Sequence, residues 1–285
     1  MAGAALTSLF LGNLAWGWTL MPGVWQPLFV PVVSVAPAMV VLYGPGWRVA
    51  STAAVLGALL TPPAAVLLVD QVCQPLDLPP VVGATGGMAM GAVVAFWLCR
   101  NLPWMPTPGA WRSRRQDILG TGASDPTASR LWIPRRALAD FSEAQFFGNE
   151  WSSLSMIAGA IVAYATMPSS IAYGTGLFAA VLVGQGMTAV AGVTIWRGRW
   201  RARGFYPTFV PVVSVAPAAV LAYDGTPMSV MLGALTGALV APPVAAAISD
   251  RLPASFHPFI GNVASMSVCT ALIVPLLAFI PGVSR

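Results

Sequence analysis

The sequence contains no lysine, and only 8% of its 285 residues are charged. Soluble domains carry about 25% charged residues, so this composition excludes an ordinary soluble fold. Hydrophobic residues make up 57% of the chain, and the mean hydropathy is +0.76. We therefore expect an all-α polytopic membrane protein whose first partner is the lipid bilayer.

Groups that carry out catalysis or hold metals are equally scarce. The single histidine, His257, precedes Pro258, and an interfacial structural role is favoured over a ligand or a proton relay. The cysteines Cys73, Cys99 and Cys269 are too far apart to form a zinc motif or a C-x-x-C pair. No apolar stretch contains two carboxylates for general acid–base catalysis. The sequence therefore predicts no enzyme, no catalytic residue, no metal and no cofactor.

Nine apolar stretches reach or approach the 20 or so residues that a helix needs to cross a bilayer. They are Ala4–Leu20, Leu28–Tyr43, Val49–Val69, Val81–Leu98, Leu154–Met167, Tyr173–Ile195, Phe205–Tyr223, Met228–Ile248 and Phe259–Ile280. None of them contains Asp, Glu, Arg or Lys, which supports the assignment. The second and the fifth are short for a full crossing.

The arginines are concentrated between particular stretches, with seven in residues 100–136 and four in residues 197–203. Arginine and lysine mark the cytoplasmic loops of membrane proteins. Nine spans with a cytoplasmic N-terminus place every arginine except Arg285 on that side, while Asp70 and Asp224 lie outside. We predict a multi-pass protein of the inner (plasma) membrane with its C-terminus outside. The net charge of +5 is then explained without nucleic acid as a partner.

Many of the eleven tryptophans lie near the ends of the predicted spans, among them Trp196 and Trp200. Tryptophan is enriched at membrane–water interfaces because its ring is apolar and its N–H is polar. We interpret these residues as interfacial anchors and assign them no ligand.

A ten-residue stretch occurs twice. Residues 29–38 and 209–218 both read Phe-Val-Pro-Val-Val-Ser-Val-Ala-Pro-Ala, 180 positions apart. The match extends to four further pairs at the same offset: Trp16 and Trp196, Tyr43 and Tyr223, Gly57 and Gly237, and Pro62-Pro63 and Pro242-Pro243. Five spans separate equivalent residues, and this odd number makes the two copies cross the membrane in opposite directions. The sequence thus predicts two inverted-topology repeats with paired proline-broken helices.

The repeat divides the chain into four parts. Residues 1–99 form the first repeat of four helices, 100–150 a cytoplasmic linker, 151–172 an unpaired helix and 173–285 the second repeat. The unpaired helix means either that the first repeat lacks a helix or that the chain starts upstream of Met1.

The second half of the linker shows helical periodicity from Pro134 to Phe147. This spacing predicts a short amphipathic helix. Its wetter side would carry four charged residues, namely Arg135, Arg136, Asp140 and Glu143. A gate or coupling helix on the inner leaflet is one interpretation, and a plain linker is the favoured one.

Each copy of the repeated stretch places two prolines around a serine in an apolar segment. Proline has no backbone N–H and interrupts a helix, and a carbonyl freed in a bilayer must be buried in protein or line a wet cavity. In transporters with inverted repeats, paired interrupted helices form the substrate site near the midplane. The predicted substrate-binding residues are Pro31, Ser34 and Pro37, their equivalents Pro211, Ser214 and Pro217, and the small or polar residues Thr85, Asn262 and Ser265.

These features predict a secondary transporter or facilitator that works by alternating access. The predicted spans carry no fixed charge, so we expect a small neutral, zwitterionic or amphipathic organic solute as the substrate. A homo-oligomer is compatible with this interpretation. The alternative is a non-transporting integral membrane scaffold or an assembly subunit of a larger complex.

Overall fold

The computed structural model describes residues 1–19, 27–109, 129–167 and 176–284, which are helical apart from their connections and contain no strand. The α-helices in these ranges are α1 (Ala2–Trp16), α2 (Val35–Tyr43), α3 (Trp47–Leu68), α4 (Pro80–Cys99), α5 (Trp132–Glu143), α6 (Glu150–Thr166), α7 (Phe178–Ile195), α8 (Arg197–Arg203), α9 (Val215–Ala222), α10 (Pro227–Ser249) and α11 (Phe259–Leu277). The predicted span ends at Leu20 and Tyr173, the arginines within residues 112–115 and Arg285 lie outside the described residues.

In the described part of the chain, five helices are long and apolar enough to cross a membrane: α3 with its π-helical extension to Cys73, α4, α7, α10 and α11. The repeated stretch lies in two shorter apolar segments, Val30–Tyr43 and Pro211–Ala222. Helices α1 and α6 have 15 and 17 residues. The chain is therefore a helical membrane protein, with helix in each of the nine predicted stretches. The count of nine crossings stays a prediction.

The proline pair in α3 does not end the helix, because a tryptophan compensates for it. Pro62 has no N–H to donate to the carbonyl of Ala58, four residues earlier. The indole Nε1 of Trp16 in α1 donates to that oxygen instead, at 3.0 Å. The equivalent bond 180 positions later joins Trp196 Nε1 to the carbonyl of Ala238, four residues before Pro242, at 2.9 Å. The sequence repeat therefore extends to tertiary hydrogen bonds.

The described chain forms two compact units. The first comprises Met1–Leu76, Gly83–Ser124 and Ala247–Ala264. Helices α1 and α2 both pack on α3. Helices α3 and α4 approach so closely that a Cβ atom at Gly87 would lie 2.3 Å from the Cα atom of Ala65. Near the C-terminal end of α4, the ring of Phe96 packs against that of Phe259 at the start of α11.

The second unit comprises Asp77–Val82, Asp125–Ala246 and Ser265–Arg285. Helix α5 packs against α6 and α7. Its Ala137 and Phe141 are buried in a cluster with Val193 of α7 and Val212 of the repeated stretch. The linker helix predicted from Pro134 is therefore present. By contrast, the predicted loop between the sixth and seventh stretches contains the short helix α8, Arg197–Arg203.

Candidate functional site

The first copy of the repeated stretch is an interrupted helix. Residues Val30–Val33 form one 3-10 turn, and α2 begins at Val35. Ser34 lies between them with φ −126° and ψ −113°, far from helical values. We call residues 30–34 the first break.

The second copy is interrupted at the same place. A 3-10 turn spans Pro211–Val213, and α9 begins at Val215. Ser214 has φ −132° and ψ −84°, and we call residues 210–214 the second break. The identical sequence therefore has nearly the same backbone conformation in each unit, as expected where proline position controls the interruption.

The two predicted site serines repair the breaks. The Ser34 hydroxyl donates to the Val30 carbonyl at 2.6 Å, and the Ser214 hydroxyl donates to the Val210 carbonyl at 2.8 Å. Each carbonyl would accept the serine's own N–H in an unbroken helix, and the side chain takes over that role. Both serine side chains are fully buried. Their protons are therefore committed to the backbone.

The prolines after the serines free a second carbonyl in each copy. Pro37 cannot donate to the carbonyl of Val33, and Pro217 cannot donate to that of Val213. Val33 and Val213 are partly exposed, whereas Pro31, Pro37 and Pro211 are buried and Pro217 is intermediate. The partly exposed end of each break thus has an acceptor that the helix cannot use.

Glycines allow helices to approach both breaks. A Cβ atom at Gly12 of α1 would lie 3.1 Å from Pro31 Cγ in the first unit. A Cβ atom at Gly237 of α10 would lie 3.0 Å from Pro211 Cβ in the second. Small residues permit such backbone approach between membrane helices. Each break is therefore held by close packing within its own unit.

The remaining predicted site residues are divided between the units. Thr85 and Asn262 are buried in the first. Ser265 belongs to the second, where its hydroxyl donates to the carbonyl of Ala241 at 2.8 Å and joins α11 to α10. The structure thus groups Pro31, Ser34, Pro37, Thr85 and Asn262 in one unit, and Pro211, Ser214, Pro217 and Ser265 in the other.

Helix α5 carries a buried ion cluster that was not predicted from the sequence. Asp140, predicted on the wetter side of the helix, is fully buried, and Arg136 is only 13% exposed. Arg136 donates to Asp140 Oδ1 through Nη2 at 2.7 Å and through Nε at 3.1 Å, and to Glu143 Oε2 at 2.6 Å. Within the described residues, Asp140 Oδ2 has no hydrogen-bond partner. The prediction failed because these charges lie on the helix face that packs against the rest of the second unit.

The cluster lies beside Trp200, which is therefore not an interfacial anchor but a buried residue. The Arg136 guanidinium lies 4.7 Å from the centre of a Trp200 ring, a cation–π geometry. The Trp200 indole donates to Thr208 Oγ1 at 3.3 Å. Burial raises the pKa of Asp140 to about 7, although Arg136 and a hydrogen bond from Thr208 oppose the rise. Thr208 immediately precedes the repeated stretch, so the cluster adjoins the second break.

His257 makes a hydrogen bond at the start of α11, while its interfacial role stays a prediction. Its Nδ1 accepts the backbone N–H of Phe259 at 3.1 Å, at the first residue of α11. Among the described residues, no group of three His, Cys, Asp or Glu side chains lies close enough to hold a metal ion.

Comparison with known proteins identifies no relative. The chain matches no protein-family model, no curated protein and no solved structure. The function must therefore be inferred from the geometry of the two breaks and the buried cluster.

Proposed function

We propose that the protein is a secondary transporter or facilitator that moves a small organic solute across the inner membrane by alternating access. The observation that carries this proposal is the pair of equivalent helix breaks, with the same serine-to-carbonyl bond in each. Paired discontinuous helices are the feature from which transporters with internal repeats build their substrate sites.

Contacts between the equivalent helices α4 and α11 support inverted repeats. Phe96 late in α4 contacts Phe259 at the start of α11. The carbonyl of Val82, early in α4, accepts the hydroxyl of Ser267 in the middle of α11 at 2.9 Å. These contacts favour antiparallel helices, and equivalent helices that run antiparallel are what an inverted repeat requires.

The chemistry of the breaks favours a neutral, zwitterionic or amphipathic solute. Residues 27–43 and 205–223 contain no charged side chain. A ligand there meets serine oxygens and the carbonyls of Val33 and Val213, which accept hydrogen bonds from hydroxyl, amide or ammonium groups. A strongly anionic solute would meet no compensating cation within these segments, and burying it would cost several kcal/mol or more.

The test is uptake by the purified protein in proteoliposomes, with a panel of labelled neutral amino acids, polyols, sugars and amphipathic amines. We expect at least one class of solute to accumulate with time. Uptake is measured separately with and without an ion gradient. Failure to move any solute of a broad panel would overturn the proposal.

Ser34→Ala and Ser214→Ala test whether the breaks form the site. We expect both to reduce uptake of the transported solute. Each loses one backbone-directed hydrogen bond, worth about 1 kcal/mol, so most of the protein should stay folded. Ser51→Ala is the matched control, because its hydroxyl also bonds a backbone carbonyl, that of Arg48, but is exposed. Unchanged uptake kinetics in both break variants would assign the serines to packing alone.

The alternative, a non-transporting scaffold, is favoured by one observation: both serines are fully buried with their protons committed. Water access distinguishes the two functions. In a transporter, Val33→Cys and Val213→Cys should react with a small hydrophilic thiol reagent in membranes, and a transported solute should slow the reaction. In a scaffold, both cysteines should stay unreactive.

A further inference from the structure

The structure brings α5 directly onto the second break, and the first break is more exposed. Val212 in the second break is fully buried against Ala137 and Phe141 of α5. The equivalent Val32 is only partly buried. The neighbouring residues Phe209 and Phe29 differ in the same sense, with exposures of 5% and 45%. The two breaks have one sequence but different surroundings.

Asp140 is the charged residue at the centre of this contact. Its side chain is fully buried on the face of α5 that meets Thr208 and Trp200. Arg136 donates to Oδ1 and Thr208 also donates to the carboxylate, whereas Oδ2 has no hydrogen-bond partner in the described part of the chain. A buried carboxylate oxygen without a donor is costly when charged, and binding a proton removes that charge.

The other charged groups around Asp140 are few. Arg136 and Glu143 come from its own helix. Helices α7 and α9 carry no charged residue, α6 carries Glu150, which pairs with Arg135, and α8 carries four arginines. Burial has the largest effect on the pKa of Asp140 and raises it. The Arg136 charge lowers this pKa, whereas the Glu143 charge raises it.

We propose that Asp140 is a proton-binding site that couples α5 to the second break, with the proton as the coupling ion of transport. A hydronium ion gives one proton to Oδ2 and leaves as water, so that an O–H bond of hydronium breaks, an O–H bond forms at Oδ2, and the side chain becomes neutral. Arg136 then keeps Glu143 as its anionic partner. The neutral side chain fits the apolar contact, so protonation holds α5 on the break. Loss of the proton restores a buried charge and loosens the contact. The coupling rests on the proposed transport function, whereas the proton site does not.

Hydrogen exchange of the full chain in nanodiscs, without any solute, tests the proton site. After correction for the intrinsic pH dependence of exchange, amides in residues 208–213 should exchange faster above the titration midpoint than below it. We expect about a tenfold change in the exchange rate, which corresponds to about 1.4 kcal/mol in the opening equilibrium. The equivalent residues 28–33 belong to the first unit, which does not contain Asp140. They should show no such step and are an internal control.

Two variants make the assignment specific. Asp140→Asn mimics the protonated side chain, so residues 208–213 should keep the low-pH protection at every pH. Glu143→Gln should retain the step but move its midpoint to lower pH, because the Glu143 charge raises the pKa of Asp140. The proposal would be overturned if the wild type showed no pH step, or if the step survived in Asp140→Asn. A step of equal size in both breaks would also overturn it.

The same variants separate this proposal from the transport function. Asp140→Asn in proteoliposomes should still exchange solute between the two sides but lose its response to a pH gradient. If hydrogen exchange shows the pH step and no solute is transported, the proton site stands and the proposed transport function fails. If transport is found and residues 208–213 show no step, the proton site fails alone.

Discussion

Individual tryptophans connect the sequence repeat to stability. Trp16 and Trp196 each supply the N–H that a proline withholds from a carbonyl four residues before it. Trp16→Phe and Trp196→Phe should each lower the unfolding free energy by about 1–3 kcal/mol, because a shielded carbonyl loses its donor.

The three cysteines are free and buried, so reaction with a thiol-sensitive dye during heating reports unfolding of these variants. The control is Trp18→Phe. Trp18 is 79% exposed and, among the described residues, bonds only the carbonyl of Ala15 in its own turn, so its loss should cost less than about 0.5 kcal/mol. Equal destabilisation in all three variants would refute the proposed role of the indole.

The raised pKa of Asp140 predicts a pH dependence of stability. Burial raises it from an ordinary 3.8 to about 7. Between these values the folded protein binds more protons than the unfolded chain, so stability falls as pH rises. Melting temperatures of the wild type should therefore decrease from about pH 4 to pH 7 relative to those of Asp140→Asn. If the melting temperature of the wild type increased with pH relative to that of Asp140→Asn, the predicted direction would be wrong.

Residue-level prediction from the sequence succeeded where chemistry is local. Two prolines six residues apart locate each break, since a missing N–H acts on its own helix. The burial of Asp140 was missed because its partner surface is formed by Trp200 and Thr208, more than 50 positions away. A signal was present in the spacing: Arg136, Asp140 and Glu143 lie four and three apart, on one helix face.

Among the elements, the contact between α3 and α4 depends on the absence of a side chain at Gly87. An added Cβ atom would lie 2.3 Å from the Cα atom of Ala65, which cannot move without shifting α3. We expect Gly87→Ala to destabilise the protein by about 1–3 kcal/mol through overpacking. Gly186→Ala in α7 is the control, since no atom of a neighbouring described element lies within 4 Å of its added Cβ. Equal melting temperatures of the two variants would contradict this packing.

The positions of the elements followed from hydropathy better than their ends did. Apolar stretches predicted helices because the bilayer requires backbone hydrogen bonds to be made within the segment. Pro62 and Pro63 withhold backbone N–H groups just as the prolines of the breaks do, yet α3 continues through the pair. The difference lies in the indole donor from α1, a tertiary contact that local propensity does not contain.

For the whole molecule, the arginine distribution predicts an orientation. Gly198 in α8 and Asp224 after α9 are both exposed, so cysteines at these positions are reachable by reagents. Gly198→Cys should be protected from a membrane-impermeant maleimide in intact cells, and Asp224→Cys should be labelled. The native cysteines are buried and should contribute little background. Labelling of Gly198→Cys alone would reverse the orientation.

Inversion of the two repeats is tested by equivalent residues at equivalent helix ends. Gln71 lies in the π-helical extension of α3, and Arg251 follows α10 by two residues, 180 positions later; both are exposed. An inverted repeat places them on opposite sides of the membrane, because five spans separate them. Gln71→Cys should therefore be labelled from outside intact cells, whereas Arg251→Cys should react only after the membrane is opened. The contacts of α4 with α11 favour this outcome. Labelling of both cysteines from the same side would mean parallel repeats and would contradict the predicted inversion.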